Sequence, residues 1–287
     1  MTATNEELAY YGYPQRPTNK DKMKQWEKIV STKWVKPSLT KTNIKHNIIK
    51  KSTNNINSTS ATSNNWAGYV RNDECVDAAG SWRVPSVSAP GYLPAYSSQW
   101  TGLGGFGEGP LVQTGTESSI NATEINYYPW YELIGTSYYT DYEIKIDNIP
   151  CKAGDQFYCT IGISRIPFDG SMDVYFYVSN STQSVSTSFD VEINIPSNMP
   201  NSAEWITERP TINGELGNYP MTFDVPTGER GVPFRECSYT LRSESNSQLA
   251  EDSDSNMYKV MMQGNNTIAT PLLLDDGEFF ARRDGFN

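Results

Sequence analysis

From residue 66 onward the chain is a succession of short runs patterned for β-strands, each bounded by Gly, Pro, Asn or Asp. "NWAGYV", "AAGSWRVPSV", "INYYPWYELI", "YEIKIDNI", "QFYCTIGISRI", "DVYFYVSN", "STSFDVEINI" and "AEWITERP" follow one another with no helical pattern between them. Alternation is plain in Tyr142-Glu143-Ile144-Lys145-Ile146 and in Val174-Tyr175-Phe176-Tyr177-Val178. Strand-length runs with turn signals roughly every 8–12 residues argue for an all-β antiparallel sandwich of two packed sheets. Aromatic residues make up 12% of the chain, enough to fill such a core. No repeat at a fixed period is visible, and a monomer is expected.

The first 60 residues are different. A helical pattern lies within residues 7–32, with Met23, Trp26, Ile29 and Val30 on one face and Asn19 or Asp21 available as cap. Residues 52–64 are almost wholly Ser, Thr and Asn and read as a flexible linker open to proteases. The expected organisation is therefore a basic N-terminal segment and linker over 1–60 and a β-sandwich domain over 61–287. Residues 1–60 hold 11 Lys+Arg against 4 Asp+Glu, a net +7, and the remainder holds 12 against 29, a net −17. An acidic body repels phosphates, so nucleic acid is not the expected partner. The basic segment's natural partner is the acidic body of its own chain.

Other classes drop out by composition. No apolar run approaches the roughly 20 residues of a membrane span, so no membrane partner is expected. The N-terminus shows no basic region followed by an apolar one, which leaves open whether the protein is not exported by a signal peptide or has had that peptide removed. The four cysteines have no CxxC spacing, and His46 is the only histidine, so neither a metal nor another cofactor is expected. Cys151–Cys159 and Cys75–Cys237 are possible disulfides; bridged and free thiols both stay open. Four Asn-X-Ser/Thr sequons, at Asn57, Asn121, Asn180 and Asn265, are what so Asn- and Ser-rich a chain gives by chance. With its one histidine in the basic segment, the body has no Ser-His-Asp or Cys-His triad, and His46 is expected to be solvated. An enzyme on this scaffold would take a carboxylate as its acid/base group.

Six motifs then occur in order: "NNWAGYV" (64–70), "SSQWTGLGG" (97–105), "LVQTG" (111–115), "YPWYELI" (128–134), "AGDQFYCTI" (153–161) and "SAEWITE" (202–208). The series resembles that of the glutamic peptidase (eqolisin) family over residues 64–240, and "GYPQRP" ahead of a Trp-bearing helix resembles the prosegments of bacterial members. The resemblance implies a concanavalin-like β-sandwich behind a partly helical prosegment. It also implies an acid endopeptidase, made as a zymogen and secreted, that cleaves unfolded polypeptide without a cofactor. It places the catalytic dyad on Gln113 and Glu208, and substrate-binding or cleft-supporting roles on Trp66, Trp100, Trp130 and Glu132. Its own prosegment would be an intramolecular inhibitor. Two positions depart from the pattern: Gly104 stands where members often have Asp, and Tyr128 where they often have an acidic residue. Read from the residues alone, two rivals remain. One is a glycoside hydrolase using Glu132 and Glu208; the other is a non-catalytic carbohydrate- or peptide-binding module.

Overall fold

A computed structural model describes residues 3–10, 13, 16–17, 20–48, 59–107, 109–136, 140, 142–165, 171–194, 200–223 and 230–284. Two helices, α1 (Asn5–Tyr10) and α2 (Lys20–Val30), open the chain, and an extended arm carries β1 (Lys33–Trp34), β2 (Leu39–Lys41) and β3 (Ile44–Lys45). The body begins with β4 (Ser60–Ser63), β5 (Trp66–Arg71), β6 (Cys75–Arg83) and the short β7 (Ser86–Ser88). Long strands β8 (Ala95–Gly104), β9 (Leu111–Ile120) and β10 (Ile125–Ile134) come next, then β11 (Ile144–Ile146), β12 (Gln156–Arg165), β13 (Ser171–Asn180), β14 (Val185–Asn194) and β15 (Ala203–Glu208). Three small strands follow, β16 (Thr211–Ile212), β17 (Glu215–Leu216) and β18 (Met221–Phe223). The chain closes with β19 (Gly231–Leu241), β20 (Gln248–Leu249), β21 (Met257–Gln263), β22 (Thr267–Pro271) and β23 (Phe279–Arg283).

The pairings resolve into two layers. The front sheet runs β11–β10–β9–β8–β15–β5–β21, antiparallel throughout. The back sheet runs β19–β6–β12–β13–β14, also antiparallel. At one edge β22 and β23 carry the hydrogen-bonded ladder from the front layer to the back. Among the strand pairs of the described residues, parallel pairing is confined to β1 on β14 and β4 on β21, made by the N-terminal arm and by the first strand of the body. The expected all-β sandwich is thus the fold.

Alternation decides which side chains go inside. Tyr69, Leu103, Val112, Leu133 and Trp205 of the front sheet meet Trp82, Phe157, Phe176 and Phe234 of the back sheet in one core. A buried aromatic side chain removes about 150–250 Å² from water and contributes at most about 4–6 kcal/mol. The run "LLLDDGEFF" completes this core: Leu274 is buried and Phe279 lies parallel on Phe234 at 4.8 Å, while Leu273 stays exposed. All four cysteines are free thiols, and Cys75, Cys159 and Cys237 are buried apolar members of the core, so neither possible disulfide is present.

The N-terminal segment is docked on the body. The helical pattern read within 7–32 becomes α2, preceded by the separate α1; Asn19 lies outside the described residues and Asp21 lies inside the helix. Trp26 and Val30 of α2 pack with Leu8, and Ile29 packs on Ala79, Tyr158 and Tyr177 on the outer face of the back sheet. From there the arm runs along the back edge, where β1 pairs with β14, and crosses to the front edge, where β2 pairs with β11. Finally β3 pairs with β16 beside the front sheet. Of the stretch read as a linker, residues 60–63 form β4, and 51–58, with the sequon at Asn57, lie outside the described residues.

Candidate active site

The outer face of the front sheet carries a layer of side chains set by register alone. Trp66 and Ser98 flank Glu208 on the two neighbouring strands, and Ser98 is also opposite Glu117, itself opposite Tyr128. The next row reads Gly68, Ile206, Trp100, Gly115, Trp130. A third reads Val70, Glu204, Gly102, Gln113, Glu132. Two-residue periodicity sends all of these to one side. The six residues singled out in the sequence, Gln113, Glu208, Trp66, Trp100, Trp130 and Glu132, therefore share one face across five strands. All six are fully buried.

Glycine makes the middle row possible. A Cβ on Gly115 would lie 2.1 Å from the Gln99 carbonyl and 2.6 Å from the Trp100 Cβ, so a side chain there would displace Trp100. Gly104 is equally restricted: its φ is +88° and a Cβ would meet the Pro110 carbonyl at 2.1 Å. The local backbone, and not only the missing carboxylate, excludes the Asp that the resemblance would put at this position.

Glu208 is held by three N–H groups. Its Oε2 accepts from Trp100 Nε1 at 2.9 Å and faces His46 Nδ1 at 2.8 Å, and its Oε1 accepts from Asn65 Nδ2 at 2.8 Å. Gln113 donates from Nε2 to Glu132 Oε2 at 3.1 Å, and the His46 backbone N–H donates to the same oxygen at 3.1 Å. Gln113 and Glu208 are thus joined through Glu132 and His46. Trp66 meets Trp100 edge-on at 4.8 Å between ring centres. Gln113 Oε1, Glu132 Oε1, Trp66 Nε1 and Trp130 Nε1 are buried without a hydrogen-bond partner among the described residues.

His46 is the main departure from expectation. Read as a solvated residue of a basic segment, it is instead fully buried at the centre of the site. Its ring lies on Trp130 at 4.3 Å and 14°, and its Nε2 is 2.8 Å from Glu143 Oε1. Glu143 also accepts from the Tyr128 hydroxyl at 2.9 Å. Burial works to lower the imidazole's affinity for a proton. The charge of Glu208, hydrogen bonds to Glu143 and Glu208, and the charge of Glu132 overcome it and hold His46 well above its usual value. The ring is therefore an imidazolium donating to two carboxylates. Burial pushes Glu132 up to about 8 despite the nearby His46 charge, and its Oε2 accepts two donors. Burial also raises Glu143 and Glu117.

Sequence reasoning missed His46, Glu143, Asn65, Glu117 and Tyr128 as members of this cluster. Asn65 stands inside the quoted "NNWAGYV" and Tyr128 inside "YPWYELI", so both were within reach of the motif reading. His46 and Glu143 carried no local signal.

A model of the Peptidase A4 family matches residues 64–278 of the chain. No curated protein matches it. Among solved structures, scytalido-glutamic peptidase with a transition state analog inhibitor is 18% identical over 77% of this chain and 99% of that one, with a TM-score of 0.55. SCP-B, described as a member of the eqolisin family of peptidases in complex with the tripeptide Ala-Ile-His, is 18% identical over the same shares, with a TM-score of 0.51. At such identities the likeness is one of fold.

Proposed function

Because the chain belongs to the Peptidase A4 family and so is a peptide hydrolase, we propose that it is an acid endopeptidase acting through Gln113 and Glu208. Family membership removes the glycoside hydrolase and the binding module as readings. The observation that carries the finer reading is the hydrogen-bonded path from Gln113 through Glu132 and His46 to Glu208 on one buried face. In this reading Glu208, as carboxylate, takes a proton from the attacking water and later returns it to the leaving amine. Trp100 and Asn65 fix the carboxylate, leaving to water the position that the His46 ring now holds. The Gln113 amide donates to the developing oxyanion, and its unpartnered Oε1 is free to hold the water. Trp66, Trp100 and Trp130 floor the cleft, and an extended, unfolded polypeptide is the substrate that fits a sheet face.

The N-terminal segment is then an inhibitory prosegment. Support comes from its course across both edges of the sandwich and from the His46 ring seated on Glu208. A chain in this state cannot place a scissile carbonyl at the dyad. Acid releases it: once the carboxylates around the His46 ring are protonated, the buried imidazolium loses its counter-charge. Secretion into an acidic medium accords with such a switch.

The experiment is proteolysis of a denatured protein at acid pH by the acid-treated full-length chain, with pepstatin present. The wild type is expected to cleave. Gln113→Ala is expected to lose about 10²–10³ in kcat, the usual effect of one oxyanion donor. Undiminished cleavage by that variant would remove Gln113 from the mechanism.

A further inference from the structure

We propose that Glu143, Glu208 and the face of Trp130 form an imidazolium-binding site, one that takes the histidine side chain of an extended peptide and is filled in cis by His46. The proposal rests on the reading of this cleft as the peptidase site.

Three features select this ligand. Glu208 Oε2 and Glu143 Oε1 each stand 2.8 Å from opposite ring nitrogens, so the two acceptors are spaced for one five-membered ring. Trp130 stacks on the same ring at 4.3 Å, a contact for a flat cation. The peptide backbone is held as well: His46 N–H donates to Glu132, and Glu143 N–H donates to the Ile44 carbonyl at 2.9 Å. A lysine in place of the histidine would reach one carboxylate at a time and lose the stacking.

The charged and titratable groups around the ring come from four elements. Glu208 belongs to β15, Glu132 and Tyr128 to β10, and Glu117 to β9, while Glu143 directly precedes β11. Lys145 lies over the Tyr128 ring at 5.6 Å. Glu143 has no task in the proposed hydrolysis. It is bound to Tyr128 on one side and to the imidazolium on the other. Tyr128, one of the two departures from the family pattern, thus orients the acceptor that recognises the histidine. A peptide bound in this way is held and not cut, because its ring covers the carboxylate that would activate water. Histidine peptides acting in trans are therefore competitive inhibitors.

His46 is the chain's only histidine, so its ring gives one unambiguous set of NMR signals. In the full-length wild type the ring should stay protonated well past the ordinary midpoint of about 6.5, and Glu143→Gln should bring the midpoint down. A wild-type midpoint near 6.5, or one that Glu143→Gln does not move, would overturn the proposal. In a second arm, free imidazole and N-acetylhistidine amide are titrated against full-length His46→Ala, with melting temperature as readout. Saturable stabilisation is expected, about tenfold weaker in binding when Glu143→Gln is added, the scale of one charged hydrogen bond. No stabilisation by either compound would also overturn it. Neither readout needs catalysis, so an inactive protein with a bound imidazolium would sink the dyad and leave this site standing.

Discussion

Gln113 suits an acid cleft because an amide keeps its N–H donors at every pH, whereas a carboxyl donates only when protonated. Gln113→Glu preserves shape and removes that independence. It should be nearly inactive around pH 5 and regain activity as pH falls, and the pH profile of kcat/KM checks this. His46 gives a second prediction. Its folded value is raised, so its contribution to stability is complete below about 6.5 and fades as pH rises through that raised value. The melting-temperature gap between wild type and His46→Gln should therefore be largest near pH 6 and shrink on the alkaline side. It follows that His46's own titration cannot drive acid release; the carboxylates that accept from it must. Gln113, Glu132, Glu208 and the three tryptophans were legible because each sits in a local motif and strand register does the rest. His46 was not: its burial depends on an acidic pocket assembled from strands up to 162 residues away, and nothing near it in sequence announces that.

The N-terminal elements hold by apolar packing and strand addition. Lys22–Asp276 is a contact of 2.6 Å on a largely exposed carboxylate, a kind of pair that contributes at most about 1 kcal/mol. Ile29 on Ala79, Tyr158 and Tyr177 carries more weight. Ile29→Ala should weaken docking of α2 by about 2–4 kcal/mol, so acid activation should be faster or begin at a higher pH. An unchanged activation rate would mean that α2 does not hold the arm in place. The helix was legible from its 3.6-residue spacing, and most body strands from β5 to β15 from their alternation and turn residues, while β19 to β23 were not read. The strands β1, β2 and β3 were not legible, since runs of two or three residues, exposed in β1 and β2 though not in β3, pair only because an edge is offered to them.

Across the whole molecule the charge division, +7 over residues 1–60 and −17 beyond them, sets a long-range attraction that falls as carboxylates protonate. In the proposed switch its decisive part lies at one imidazolium among buried glutamates and not across the surface at large. In the proposed mechanism the sandwich provides the rigid face, the arm its cover, and one carboxylate is both the base and the cover's anchor. That double role makes Glu208 the position on which the account depends. The direct test is hydrolysis of a denatured protein at about pH 4 by acid-treated wild type and Glu208→Gln side by side. The account predicts a loss of at least about 10²–10⁴ in kcat for the variant, the range for removing a general acid/base. Activity within a few-fold of wild type would contradict it.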